Sequence, residues 1–242
     1  MSFSPTRSGP FPETPWTHVH RAAGGQDTLA GASLETVCRM YWAPLYAVAR
    51  RDGLSPAEAE DVTQSFFAQL LEDETLKSVD PTKGRLRSYL LTAMKHFISN
   101  WRRSDRTIKR GGEFLRVDFD TSGIEAVCAQ QGHGLSPDEF FERRWAATLL
   151  NHALESMEQE MVHAGKQEVF AVLGEFILAH GKEAQHGEAA KKLGMNEGAA
   201  RVAVHRLRKR YRQLVREHVA ATVGSEAEVD DELRHLISLY AA

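Results

Sequence analysis

The run from Glu188 to Leu214 reads E-A-A-K-K-L-G-M-N-E-G-A-A-R-V-A-V-H-R-L-R-K-R-Y-R-Q-L, and its residue types and spacing suit a polyanion. Ala200, Val204, Leu207, Tyr211 and Leu214 recur at spacings of four, three, four and three, which makes one buried stripe of a helix. Arg201, His205, Arg208 and Arg212 repeat one residue later, so a basic stripe runs beside the apolar one. No acidic residue stands between Gly198 and Arg216, whereas a merely solvated face usually mixes signs. Ahead of this helix, a short one carrying Ala189, Ala190 and Leu193 stops at Gly194, whose missing Cβ suits a left-handed turn. Asn196 then caps the second helix. Small residues, a glycine turn and a basic second helix spell a helix-turn-helix, whose second helix can enter a major groove. An ordinary amphipathic hairpin with a solvated basic face is the plainer alternative; Ala189, Ala190 and the missing acids weigh against it.

A second cluster offers the means to hold unstacked bases: aromatic faces, polar groups for base edges and cations for phosphates. Lys95, His96, Asn100, Trp101, Arg102, Arg103 and Arg106 supply all three on or just after one helix, with Tyr89 and Phe97 also needed for packing. A third cluster, Glu58, Glu60, Asp61 and Gln64, has the opposite sign. The formal net charge of −3 hides this segregation. Between Asp52 and Asp80 Lys77 is the lone base, from Trp101 to Arg110 Asp105 is the lone acid, and Glu226 to Glu232 is acidic again. Separate blocks of opposite sign call for two kinds of partner, nucleic acid and a basic protein surface.

Helices must position all three clusters. Leu34, Val37, Cys38, Tyr41, Leu45 and Val48 fit a helix over Ser33–Arg51, with Pro44 an awkward passenger. Ser55-Pro56 starts a second, with Ser55 as N-cap and Glu58 near the positive end of the dipole; Val62, Phe66 and Leu70 face inward. A turn at Asp80-Pro81 and Gly84 precedes a third helix, from about Arg85 to Trp101. Ser136-Pro137-Asp138-Glu139 caps a fourth, carrying Phe140, Phe141, Trp145, Leu149 and Met157, and Val169, Leu173, Phe176 and Ile177 mark a fifth. No strand-type alternation runs far; Phe114–Phe119 is the nearest approach. The expected architecture is all-α: a poorly ordered lead over residues 1–32, a helical bundle over 33–112, a linker over 113–136, a helix-turn-helix domain over 137–223, and an acidic tail helix over 224–242.

At 242 residues the chain can bury one sizeable core or two modest ones. No apolar run is long enough for a membrane span, and the first residues lack the apolar core of a secretory signal. Cys38 and Cys128 have no metal-type spacing and read as reduced thiols of a cytoplasmic protein. Eleven histidines are scattered without paired spacing, so no metal and no cofactor are assigned.

Three stretches carry a family resemblance. A-E-A-E-D-V-T-Q-S-F-F-A-Q-L-L, Ala57 to Leu71, resembles the polymerase-binding helix of bacterial sigma factors, and G-R-L-R-S-Y-L-L-T-A-M-K-H-F-I-S-N-W-R-R, Gly84 to Arg103, resembles their promoter-melting helix. With the helix-turn-helix behind them, their order is similar to the extracytoplasmic-function (ECF) group of the sigma-70 family, which keeps only regions two and four. The K-R-G-G run and the terminal V-D-D-E-L-R-H-L resemble the planctomycete-type branch of that group. The resemblance implies a non-enzymatic protein that joins core RNA polymerase, reads promoter DNA and helps melt it. It implies that Glu58, Glu60, Asp61 and Gln64 meet polymerase, and that Lys95, His96, Asn100, Trp101, Arg102, Arg103 and Arg106 meet the minus-ten element. It places Glu197, Ala199, Arg201, Ala203, His205 and Arg206 near the minus-thirty-five element; Arg201 and Arg206 can pair with guanine, while Lys209 and Arg210 hold phosphate. An anti-sigma protein or a Ser/Thr kinase is the further partner this kinship brings, with Thr63 as the candidate phosphosite; a threonine bonding to its own helix is the plainer account of Thr63. No small-molecule substrate is expected.

The acidic tail from Ser225, with Leu233, Leu236, Ile237 and Leu239, is expected to fold back on the basic surface of the helix-turn-helix domain. A stand-alone helix-turn-helix regulator is the rival reading, but it leaves the acidic helix unused and supplies no dimer helix. A helical enzyme holding magnesium on Glu58, Glu60 and Asp61 is more remote, because no second ligand cluster stands out.

Overall fold

A computed structural model describes residues 28–72, 85–104, 135–179, 186–223 and 225–241. Among them are eight α-helices, one 3-10 turn and no strand. The helices are α1 (Thr28–Arg51), α2 (Pro56–Glu72), α3 (Leu86–Ser104), α4 (Pro137–His163), α5 (Gln167–Leu173), α6 (His186–Lys192), α7 (Glu197–Ala220) and α8 (Glu226–Ala241); the 3-10 turn, Gly174–Phe176, follows α5. The chain is thus all-α and forms two compact units. Unit 1 takes Met1–Thr148 and Ala220–Ala242, and unit 2 takes Leu149–Val219. The lead before residue 28, the segment from 105 to 134 and Cys128 lie outside the described residues.

Two local devices recur along the chain. Helix starts use reciprocal capping: the Glu58 amide donates to Ser55 Oγ (3.3 Å) while the Ser55 amide donates to the Glu58 carboxylate (2.8 Å). The Ser136–Glu139 pair repeats this at α4 with distances of 3.2 and 2.8 Å. Helix stops use a glycine at positive φ. At Gly194 (φ 64°) the Gly194 amide donates to Lys191 O and the Met195 amide to Ala190 O, which satisfies two free carbonyls of α6. Gly53 ends α1 with the same pair of bonds.

In unit 1 the inner faces of α1, α2 and α3 bury Tyr41, Leu45, Tyr46, Val62, Phe66, Leu86, Leu90, Met94 and Ile98. Pro44 lies inside α1, which continues through it. The first turns of α4 also belong here, adding Phe140, Phe141 and Trp145. Arg87 of α3 lies over the Trp145 ring, 4.6 Å from its centroid. The tail helix α8 completes this unit with Val229 and Leu236 buried. That corrects the expected docking of the tail on the helix-turn-helix domain. The physical reason is a charged cluster: Glu232 pairs with Arg85 (2.8 Å) and with Arg87, which also reaches Glu142 at 2.8 Å. His235 of α8 meets Glu142 Oε2 at 3.0 Å. Without Glu232 the buried Arg87 guanidinium would lose one of its carboxylates, a cost that a solvated basic face does not set on the placing of an acidic helix.

Unit 2 is built on the second half of α4, with Leu149, Ala153 and Met157 inside. Leu173, Phe176 and Ile177 follow, and then α6 and α7 cross with Ala189, Ala190, Ala200 and Val204 buried. Tyr211 Oη donates to Leu150 O at 3.2 Å, tying the far half of α7 to α4.

Candidate protein and nucleic-acid interfaces

On α2, Ala59, Val62, Thr63, Phe66 and Phe67 take the inner face and leave Asp61 exposed outward. Glu58 is occupied by its cap: hydrogen bonds from the Ser55 hydroxyl and amide hold its carboxyl below the usual carboxylate range. Gln64 Nε2 lies 3.5 Å from Glu60 Oε1, one turn apart. Asp61 has no ion pair among the described residues, so its charge is available to a partner. Thr63 is fully buried, and its hydroxyl donates to Ala59 O at 2.7 Å. Among the described residues no group of three or more His, Cys, Asp or Glu side chains comes together to hold a metal ion.

The structure brings Lys95, His96, Asn100, Arg102 and Arg103 to the exposed side of α3, opposite Leu90, Met94 and Ile98. Trp101 is half-buried, 6.3 Å from Phe97, which in turn meets Phe66 edge-on at 5.7 Å. Aromatic packing therefore fixes the end of α3 while its polar side stays open. Two of the five are already paired: Lys95 with Asp138, and Arg102 with Asp52 at 2.7 Å. Between these pairs lies a hollow of about 260 Å³ lined by Val48, Ile98, Ser99 and Pro137 as well. Exposed pairs of this kind contribute little and yield readily to a stronger anion. Arg106 lies outside the described residues.

α6, the turn at Gly194 and α7 form at the positions their sequence directs. Ala199 N donates to Asn196 Oδ1 at 2.8 Å, and the stripe Ala200, Val204, Leu207, Tyr211, Leu214 is buried throughout. Glu197 pairs with Arg201 one turn on. His205, Arg206 and Lys209 are exposed. Arg210 is gripped by Glu160 and Glu217, which raises its pKa and lowers that of Glu160. Arg208 turns away from the outer face to donate to Phe176 O (3.0 Å) and Ala179 O (2.7 Å). The sequence reading passes over Val202, which stands 51% exposed on the outward face of α7, four residues before Arg206. Its signal in the sequence is an apolar residue off the buried stripe.

Residues 38–107 match the family model of sigma-70 region 2, a span of less than a third of the 242-residue chain. That span holds most of α1 and all of α2 and α3, and so both the Asp61 and the Asn100 surfaces. No curated protein and no solved structure matches the chain. No helix among the described residues is long and apolar enough to cross a membrane.

Proposed function

We propose, from the sigma-70 region 2 that residues 38–107 match, that this chain is a sigma-70 family sigma factor acting in transcription initiation. The match is the observation that carries the reading, and it supports core RNA polymerase and promoter DNA as the partners. The finer assignments are ours. Asp61, with Glu60 and Gln64 beside it, docks on a basic polymerase surface; Glu58 shapes the helix start as much as it offers charge. Asn100, His96 and Arg103 touch the melted minus-ten strand directly, and Lys95 and Arg102 join once DNA displaces Asp138 and Asp52. Unit 2 serves as region four: Arg206, His205 and Lys209 face the minus-thirty-five element, Arg201 joins them by leaving Glu197, and Arg210 is held back by its two carboxylates. Membership of the ECF group and a cytoplasmic location complete the proposal. A kinase acting at Thr63 would first have to open α2, so the reading assigns no phosphorylation there and leaves an anti-sigma protein as the regulatory partner.

Mixing the purified chain with core RNA polymerase tests the proposal. Wild type is expected to form a stable complex at low salt, and Asp61→Arg is expected to weaken it by at least tenfold, the scale of one well-placed interfacial charge. Absence of any complex would instead favour a free-standing helix-turn-helix regulator, to be sought as a dimer on a palindromic site.

A further inference from the structure

Unit 2 contains a polar cavity of about 370 Å³ bounded by His186, Arg201, Val204, His205 and Arg208. Its chemistry is unbalanced in a specific way. His186 is 5% exposed, and neither of its ring nitrogens has a hydrogen-bond partner among the described residues. A neutral imidazole carries one donor and one acceptor, so an interior imidazole with both unmet is costly unless something completes it. The ring is nevertheless held in place, edge-on to Phe176 at 4.9 Å. Arg208 is half-buried and, among the described residues, its side chain is bonded to the neutral carbonyls of Phe176 and Ala179. Its charge meets no carboxylate among the described residues. The nearby acid, Glu197, is engaged with Arg201. A guanidinium that meets no carboxylate and an imidazole with both nitrogens unmet, each judged among the described residues, thus share one cavity with two further basic side chains.

We propose that this cavity binds one phosphate group. A phosphate offers several acceptor oxygens at tetrahedral angles, which suits donors converging from α6 and from two turns of α7. A carboxylate, planar and with two oxygens, would satisfy fewer of them. The phosphate is either a backbone phosphate of duplex DNA or a free phosphate; in the first case the inference rests on the DNA-binding role proposed for α7. His186 would then anchor that helix on a phosphate from the preceding helix, fixing register without reading sequence.

The test uses the full chain and His186→Phe, which keeps a ring against Phe176 and deletes both nitrogens. Thermal unfolding should show the variant at least as stable as wild type, because an apolar ring replaces one with unmet polar atoms. Inorganic phosphate is titrated by calorimetry, and a short mixed-sequence duplex by fluorescence anisotropy at several salt concentrations. Loss of at least about tenfold in duplex affinity, with the salt slope shallower by about one, assigns the cavity to a DNA phosphate. A similar loss for inorganic phosphate, with duplex binding unchanged, assigns it to a free phosphate. Equal binding of both probes by variant and wild type, or binding of neither by wild type, would overturn the proposal. A wild type that binds phosphate but not duplex would sink the DNA-binding reading while sparing the cavity.

Discussion

Unit 1 surrounds the guanidinium of Arg87 with the carboxylates of Glu142 and Glu232 and the ring of Trp145, whereas unit 2 gives that of Arg208 two main-chain carbonyls. The accompanying histidines differ in the same sense. His235 meets Glu142, while His186 meets an aromatic ring and no polar atom among the described residues. In unit 1 buried charge is matched from inside the fold, and the matching joins α3, α4 and α8. In unit 2 the half-buried Arg208 meets no carboxylate among the described residues. A charge completed internally is a fastening; a charge left incomplete beside a cavity is a binding function.

The fastening is where this contrast is most easily broken. Glu232 is 1% exposed and Arg87 4% exposed, so Glu232→Ala takes one of two carboxylates from a buried guanidinium and leaves it Glu142. Burial already pushes the Arg87 pKa down, against the pull of Glu142. Leaving a buried charge wholly unpaired costs about 3–5 kcal/mol, and with Glu142 retained the loss should lie toward the lower end of that range. Chemical denaturation of the full chain should show that loss. The double change Arg87→Met with Glu232→Leu should recover most of it, since apolar side chains of similar size can replace a buried pair. A cost for Glu232→Ala below about 1 kcal/mol would mean that α8 is held by Val229 and Leu236 alone, and the contrast between the units would lose its first half.

How much of this could be read from the chain depends on whether a feature is local. The start of α2, the glycine stop at Gly194, the Asn196 cap and the buried stripe of α7 are all visible in the sequence because each is set within a few residues by backbone geometry. The outward positions of Asp61, His96 and Asn100 follow from helical periodicity in the same way. The docking of α8 was not legible. An acidic amphipathic helix fits any basic surface, and the decisive attraction is a contact between Glu232 and Arg87, far apart in sequence. Arg208 was misleading for a related reason. Its place in the basic stripe is correct, but two carbonyls from the preceding turn draw it inward. Thr63 shows the opposite outcome: its back-bond to Ala59 is the plain account already available from helical geometry.

A second prediction tests the local part of unit 2. Asn196→Ala removes the acceptor for the Ala199 amide at the start of α7 and should destabilise unit 2 by about 1 kcal/mol. Hydrogen exchange should report it as faster exchange in the first turn of α7, with unit 1 amides unchanged. Exchange that rises equally in α3 would show that the units do not open separately, and the comparison would have to be drawn between sites rather than between units.

The smallest expected effect concerns a histidine that unit 2 keeps neutral rather than leaving it for a ligand. His218 is half-buried, with Nε2 3.1 Å from Ser156 Oγ. Burial lowers its pKa from the ordinary 6.5, and His152 adds to the shift, against the opposing pull of Glu217 and Glu155. The sign follows from proton counting. Well above the ordinary value both folded and unfolded chains hold His218 neutral, and it adds no pH dependence. As pH falls through about 6.5 the unfolded chain takes up the proton first, so stability declines, and the decline levels off below the lowered folded value. His218→Gln keeps a polar partner for Ser156 and removes the titration, so the wild-type loss of stability on acidification should exceed that of the variant. If the two curves stay parallel, His218 titrates as it does in the unfolded chain. Unit 2 would then hold His218 without any internal device for keeping it neutral.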